Sequence, residues 1–398
     1  MNNAPDEFAV AAHYSGPFDE PALGQWARTV RQDLKAPQVS LGLVFMSPRF
    51  FPHAAAVLEI LRLNARIPLL IGCSGTSLVA GDQEIESQPG LVLGLYYLPD
   101  AEIRACRITQ EQIEEANGPA YWHAETGLNT ETCLGWLAFL EPFQTDCERW
   151  LRQWNEAFSP LPVYGGLASG KSGEPGAQIY FNGQVFEDGG VVLAVGGKVR
   201  LEGVISQGCT PIGETWTITR AEHNIIYQIA NRRAYDVLAE TFHNLSAEEQ
   251  RKTQGNLLVG LVVNEYLEEF QRGDFLIRNL MGADPSSGAL QIGALPRVGQ
   301  AIQFQRRDAQ TAAADINTLL TRQKARLRGH QVLGGVLCCC NGRGRQLFNV
   351  SNHDARRVQE VLGPLGLAGF FCNGEIGPIG DRSFLHGFTA ALALFVRD

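Results

Sequence analysis

The chain has 398 residues, with 33 Lys and Arg against 42 Asp and Glu, giving a formal net charge of −9. Nucleic-acid binders gain affinity from cationic side chains that displace counterions, so an acidic chain with no basic block falls outside that class. A polybasic membrane anchor is disfavoured on the same ground. With 45% hydrophobic and 19% charged residues, the composition is that of a globular protein of about two or three domains.

Glycine is the outlier at 43 residues, against roughly 7% in average usage, and predicts many tight turns and close backbone approaches. The N-terminal MNNAPDEFAV has no secretory pattern, and no apolar run approaches the ~18 residues of a membrane-spanning helix. A cytoplasmic location is therefore expected, with no membrane span and with the nine cysteines as reduced thiols.

In chain order, residues 1–25 read as an irregular lead-in rich in Pro and Gly. A helix is expected over 21–35, where Leu23, Trp26, Ala27, Val30 and Leu34 recur at helical spacing, then a buried strand over 39–46 and a helix over 53–65. An apolar run over 68–75 ends in small residues, and strands follow over 84–87, 90–98 and 102–108. This order of strand, helix, strand and meander recurs: 133–141 as strand, 147–158 as helix, 162–170 (PVYGGLASG) matching PLLIGCSG, then 177–181, 184–187 and 191–196. The alignment makes Gly72 and Gly165 equivalent.

A looser third copy has a strand over 334–340, a helix over 354–362, the small-residue strand end 367–374 (LAGFFCNG) and a returning strand over 384–395. Between the second and third copies, helices are expected over 233–242 and 309–327, with strands over 257–263 and 275–280. Ser246 and Glu249 have capping-box spacing. The expected fold class is α+β: repeated strand-helix-strand-meander units forming mixed β-sheets covered by helices, in two domains, 26–222 (two internal repeats) and 223–398.

Catalytic and metal motifs are missing from the sequence, so no cofactor and no metal are expected. Gly165-Gly-Leu-Ala-Ser-Gly-Lys171-Ser is glycine-rich, but its spacing is wrong for a phosphate cradle. Cys338, Cys339 and Cys340 cannot all face one metal, because neighbours on a strand point to opposite faces; they read as small core residues. Three segments place small polar groups beside glycines: Gly72, Cys73, Ser74 and Gly75; Ser206, Gln207, Gly208 and Cys209; and Cys372, Asn373, Gly374 and Glu375. Backbone N–H groups there could cradle a carboxylate, with Ser74, Gln207, Asn373 or Glu375 contacting an amino group or hydroxyl. The alternative for each segment is a bulge or tight turn where glycine serves the backbone alone.

LLIGCSGTSLVAGDQEI, GVISQGCTPIGETWTITRAEHNIIYQIANRRAYDVL and GFFCNGEIGPIG resemble the FIST N-terminal and C-terminal domains of the F-box and intracellular signal transduction proteins, over roughly Trp26 to Phe395. The resemblance implies a sensory module for a small ligand, an amino acid or related small carboxylate being the proposed class. Larger family members carry an output domain, whereas only Val-Arg-Asp follows Phe395 in this sequence, so the expectation is either a separate signalling output protein as partner or simple binding of a metabolite. Two alternatives stay open: a thiol-dependent hydrolase or transferase with Cys73 or Cys372 as nucleophile, and a scaffold or subunit of a complex.

Overall fold

A computed structural model describes residues 6–170 and 176–397. Lys171 and Ser172 of the glycine-rich run lie outside the described residues. The chain packs as two units, a larger one of residues through 205, 316–385 and 389 onward, and a smaller one of 206–315 with 386–388.

The larger unit begins with β1 (Ala9–Tyr14), α1 (Glu20–Asp33), β2 (Leu41–Met46), α2 (Ala54–Asn64), β3 (Leu70–Ser74), the hairpin β4 (Leu78–Ala80) and β5 (Gln83–Ile85), and β6 (Leu91–Tyr96). Helix α1 starts where Asp19 accepts the Ala22 N–H at 2.8 Å and a proline occupies the first turn, and it buries Leu23, Ala27 and Val30. The second copy runs β7 (Ala101–Ile108), α3 (Gln110–Glu115), α4 (Pro119–Thr126), β8 (Gly135–Leu140), α5 (Cys147–Phe158), β9 (Val163–Leu167), the hairpin β10 (Ile179–Phe181) and β11 (Gln184–Phe186), and β12 (Gly190–Gly197). Strand β13 (Val199–Gln207) then leads to the smaller unit.

That unit holds β14 (Cys209–Glu222), β15 (Ile225–Ile229), β16 (Arg232–Arg233), α6 (Ala234–His243), α7 (Ala247–Thr253), β17 (Leu257–Val262), β18 (Phe275–Asp284), β19 (Ala289–Ile292) and β20 (Ala301–Arg307). The strand order is β14-β20-β17-β18-β19-β15-β16, and a further β14–β15 pairing closes the sheet on itself. Ala234, Val237 and Leu238 of α6 pack into one cluster with Ile218, Ile226, Val259 and Phe304. Ser246 and Glu249 cap α7 reciprocally. Helix α8 (Ala309–Arg326) opens the third copy, followed by β21 (Gln331–Cys340), α9 (Arg345–Phe348), α10 (His353–Leu362), β22 (Leu367–Cys372), the hairpin β23 (Glu375–Ile379) and β24 (Arg382–His386), and β25 (Thr389–Arg397).

In each repeat two strands pair in parallel: β2 with β3, β8 with β9, β21 with β22. The returning strands β6, β12 and β25 pair antiparallel with the first member. Close approach within the parallel pairs demands glycine at one matched position. A Cβ on Gly72 would lie 1.8 Å from the Val44 carbonyl oxygen, one on Gly165 1.9 Å from that of Ala138, and one on Gly369 1.9 Å from that of Leu337. The equivalence of Gly72 and Gly165 therefore extends to the third copy.

The hairpins do not stay in their own sheets. β10 pairs with β3, β23 with β9, and β4 with β22, so every repeat gives its hairpin to another in cyclic order and each of the three sheets has six strands. Three-residue strands carry too little pattern to name a partner, and they cover edges that would otherwise be open. Two further differences stand out. Residues 9–14 of the expected lead-in form β1, because Pro and Gly flank that segment instead of interrupting it. The single returning strand expected over 384–395 is split between β24 and β25. At the centre of the larger unit Phe45, Phe139 and Phe370, one from each repeat, have ring centroids 5.4, 4.9 and 5.8 Å apart.

Candidate functional site

Each parallel pair ends just beyond this aromatic centre, and the residue four places after each matched glycine is polar: Thr76, Ser169 and Asn373. They form one hydrogen-bonded circuit. The Thr76 hydroxyl donates to Asn341 Oδ1 at 2.8 Å, Asn341 Nδ2 to Asn373 Oδ1 at 2.8 Å, and Asn373 Nδ2 to the Ala168 carbonyl at 3.1 Å. The circuit closes where Ser169 Oγ accepts the Thr76 N–H at 2.9 Å and donates to the Phe371 carbonyl at 2.6 Å. Asn373 is exposed, Thr76 and Asn341 are half-buried, and Ser169 is buried. The rim of the circuit therefore faces water while its base is fixed to strand ends from all three repeats.

Ser74 lies beneath the rim. Its hydroxyl donates to the Ser169 carbonyl at 2.8 Å and accepts the Gln178 N–H at 2.9 Å, so it locks the exchanged β10 hairpin to β9. Glu375 occupies the hairpin position held by Leu78 and Ile179 in the other repeats, and it is fully buried. Its Oε2 accepts the Thr389 hydroxyl at 2.6 Å and N–H at 3.0 Å, and its Oε1 lies 3.1 Å from the Cys372 thiol. Burial pushes its carboxyl up to about 7 against the pull of the Thr389 and Cys372 hydrogen bonds.

Behind the strand ends stands a charged anchor. Arg343, 1% exposed, donates through Nε and Nη2 to both oxygens of Asp354 at 2.6 and 2.9 Å. Burial alone would raise the Asp354 carboxyl, but the Arg343 charge and hydrogen bonds hold it well below the usual range. Glu84, on the exchanged hairpin, caps α10 by accepting the Asp354 and Ala355 N–H groups at 2.8 and 2.9 Å. Burial and the Asp354 charge push it up to about 7. Side-chain atoms of Glu84, Cys339 and Asp354 lie within 4.8 Å of one another, with both Asp354 oxygens already engaged by Arg343.

The fold brings Ser74 and Gly75 together with Asn373, Gly374 and Glu375. Gly72 serves the close strand approach, while Gly75 and Gly374 supply backbone bonds to Met46 and Leu167. Cys73 and Cys372 point into the central apolar cluster. Burial, followed by neighbouring Cys338 for one and Glu375 for the other, pushes both thiols well up, the reverse of an activated nucleophile's environment. Ser206, Gln207, Gly208 and Cys209 stand at the entry to the smaller unit. There Asp315 accepts the Ser206 hydroxyl and the Gln207 N–H, both at 2.9 Å, Gln207 Nε2 donates to the Phe275 carbonyl at 2.8 Å, and Cys209 is apolar packing. Thr76, Ser169 and Asn341 were not among the expected residues. A constant offset from the three matched glycines is the signal that identifies the first two.

No helix among the described residues is long and apolar enough to cross a membrane. Against known proteins, the FIST N domain matches residues 40–232 and the FIST C domain residues 234–378. An uncharacterized protein of Mycobacterium tuberculosis is 34% identical over 377 residues, covering 94% of this chain and 96% of its own. One from Mycobacterium bovis is 35% identical over 374 residues, covering 94% of each. Among solved structures, a cyanuric acid hydrolase aligns over 98% of this chain and 100% of its own, at 8% identity and a TM-score of 0.34.

Proposed function

We propose a function from the premise that this chain belongs to the FIST family, whose domains are sensory modules of signal transduction: it senses a small polar molecule at the rim formed by Thr76, Asn341 and Asn373. The observation that supports this reading is the circuit itself. Amide and hydroxyl groups from three repeats converge at one point, with Asn373 exposed and Thr76 and Asn341 partly so, over an aromatic base. Such a constellation recognises a ligand by several directed hydrogen bonds without an activated nucleophile. Amino acids and related small carboxylates are the class to screen first, and Ser74, Glu375 and Gly374 hold the rim in place beneath the ligand. The protein acts in the cytoplasm and passes its signal to a separate output protein.

A thermal-shift screen tests the reading, because a ligand that binds only the native state raises stability, by ~2.7 kcal/mol at a hundredfold excess over its dissociation constant. A saturable hit is expected to lose its shift in the double variant Thr76→Val, Asn373→Ala, whose unliganded melting temperature stays close to the parent's. An unchanged hit in that variant would place binding elsewhere.

A further inference from the structure

Cys340 and Cys372 end the parallel strands β21 and β22 and are register partners. Residues in register on adjacent parallel strands put their side chains on the same face, and neighbouring strands lie about 4.8 Å apart. That spacing falls inside the roughly 4.4–6.8 Å between Cα atoms that a disulfide spans. The other two cysteines of the triplet are differently placed. Cys338 is opposite Phe370, and Cys339 is opposite Phe371 on the far face, among Leu337, Leu367 and Leu394. One pair of the set is therefore in position to be joined.

The two thiols also differ in the way a redox pair requires. Cys340 is half-buried, at the strand end, where its sulfur is the one of the pair open to small oxidants. Cys372 is sealed from solvent, and its thiol points at Glu375 Oε1, 3.1 Å away, with the carboxylate fixed from behind by Thr389. A partly accessible thiol, with a buried second thiol backed by a proton acceptor, divides the attacking and resolving roles between them.

We infer that Cys340 and Cys372 form a reversible disulfide when the protein meets a peroxide. In the first step the Cys340 thiolate attacks a peroxide oxygen. The S–O bond forms, the O–O bond breaks, sulfur is oxidised to the sulfenic acid, and the peroxide is reduced, its leaving oxygen taking a proton to become water or an alcohol. In the second, the Cys372 sulfur attacks the Cys340 sulfur, its proton passing to Glu375. The S–S bond forms, the S–O bond breaks, and the departing hydroxide takes that proton from Glu375 and leaves as water. A small thiol reverses the bond by exchange. The next residues on the two strands are Asn341 and Asn373, themselves hydrogen-bonded, so the disulfide forms directly beneath the rim. The chemistry does not depend on the ligand reading and stands or falls separately.

The full-length protein is exposed to a molar excess of hydrogen peroxide, capped with N-ethylmaleimide and digested without reductant for mass spectrometry. A Cys340–Cys372 cross-linked peptide is expected, disappearing with dithiothreitol and in Cys340→Ser. Cys372→Ser is expected to hold Cys340 as a sulfenic acid that dimedone captures, and Glu375→Gln to slow cross-linking by about tenfold or more. Three results overturn the inference: Cys340 carried to sulfinic or sulfonic acid with no cross-link, a cross-link through Cys338, or both thiols unchanged under peroxide.

Discussion

Arg343 and Asp354 neutralise each other in a place where neither touches water, and that arrangement sets what single substitutions do. Removing one partner strands the other charge, so Asp354→Ala is expected to cost about 3–5 kcal/mol in urea unfolding. The matched glycines are equally unforgiving for a steric reason. Gly369→Ala would press a methyl group against the Leu337 carbonyl, and a loss of at least about 1–3 kcal/mol, read as a lower melting temperature, is expected. Glu84 and Glu375 give the molecule a pH signature. Both are raised to about 7 by burial, whereas an unfolded Glu titrates near ~4.3. The folded state thus holds more protons than the unfolded one across that interval, so stability is greatest below it and falls as pH rises through about 7. Urea unfolding between roughly pH 5 and 8 should show that decline, and Glu375→Gln should flatten it. Asp354 works in the opposite direction, its contribution being lost as strong acid protonates it.

At the scale of elements, much of the fold is legible because apolar spacing reports burial directly. Helix α5 shows Trp150, Leu151, Trp154 and Phe158 buried along one face, and its sequence pattern alone predicts its limits. The repeated small-residue strand ends are legible too, since Gly72 and Gly165 answer to a steric need that any copy of the unit shares. The exchange of hairpins is not. β4, β5, β10 and β11 each have three residues, and nothing in Leu-Val-Ala specifies a partner hundreds of residues away. The candidate site divides along the same line. Ser74 and Asn373 announce themselves by standing beside glycine, whereas Asn341 follows a cysteine run whose apparent meaning is apolar packing. Its role appears only when β21 and β22 lie side by side. Glu375 was legible as a polar residue near the site but not as a buried one, because its burial is imposed by the sheet of another repeat.

Across the whole molecule, the cyclic exchange means that none of the three repeats owns a complete sheet. A chain ending near residue 198 would retain two repeats yet leave β9 without β23 and β4 without β22. It is expected to be insoluble or molten, with near-ultraviolet dichroism lost and dye binding gained. In the intact larger unit, hydrogen exchange should show the strands of all three repeats opening with similar free energies, since releasing one repeat strips edges from two sheets.

The same connectivity sets a timetable for synthesis. Ala80 pairs with Ala368, so the first repeat's hairpin emerges from the ribosome long before the strand it joins. Until the last repeat is made, the nascent larger unit carries an unmatched hairpin and an uncovered strand, the kind of exposed edge that invites mispairing. The smaller unit, nearly continuous in sequence from 206 to 315, meets no such delay and can close its sheet while the rest of the chain is still being translated.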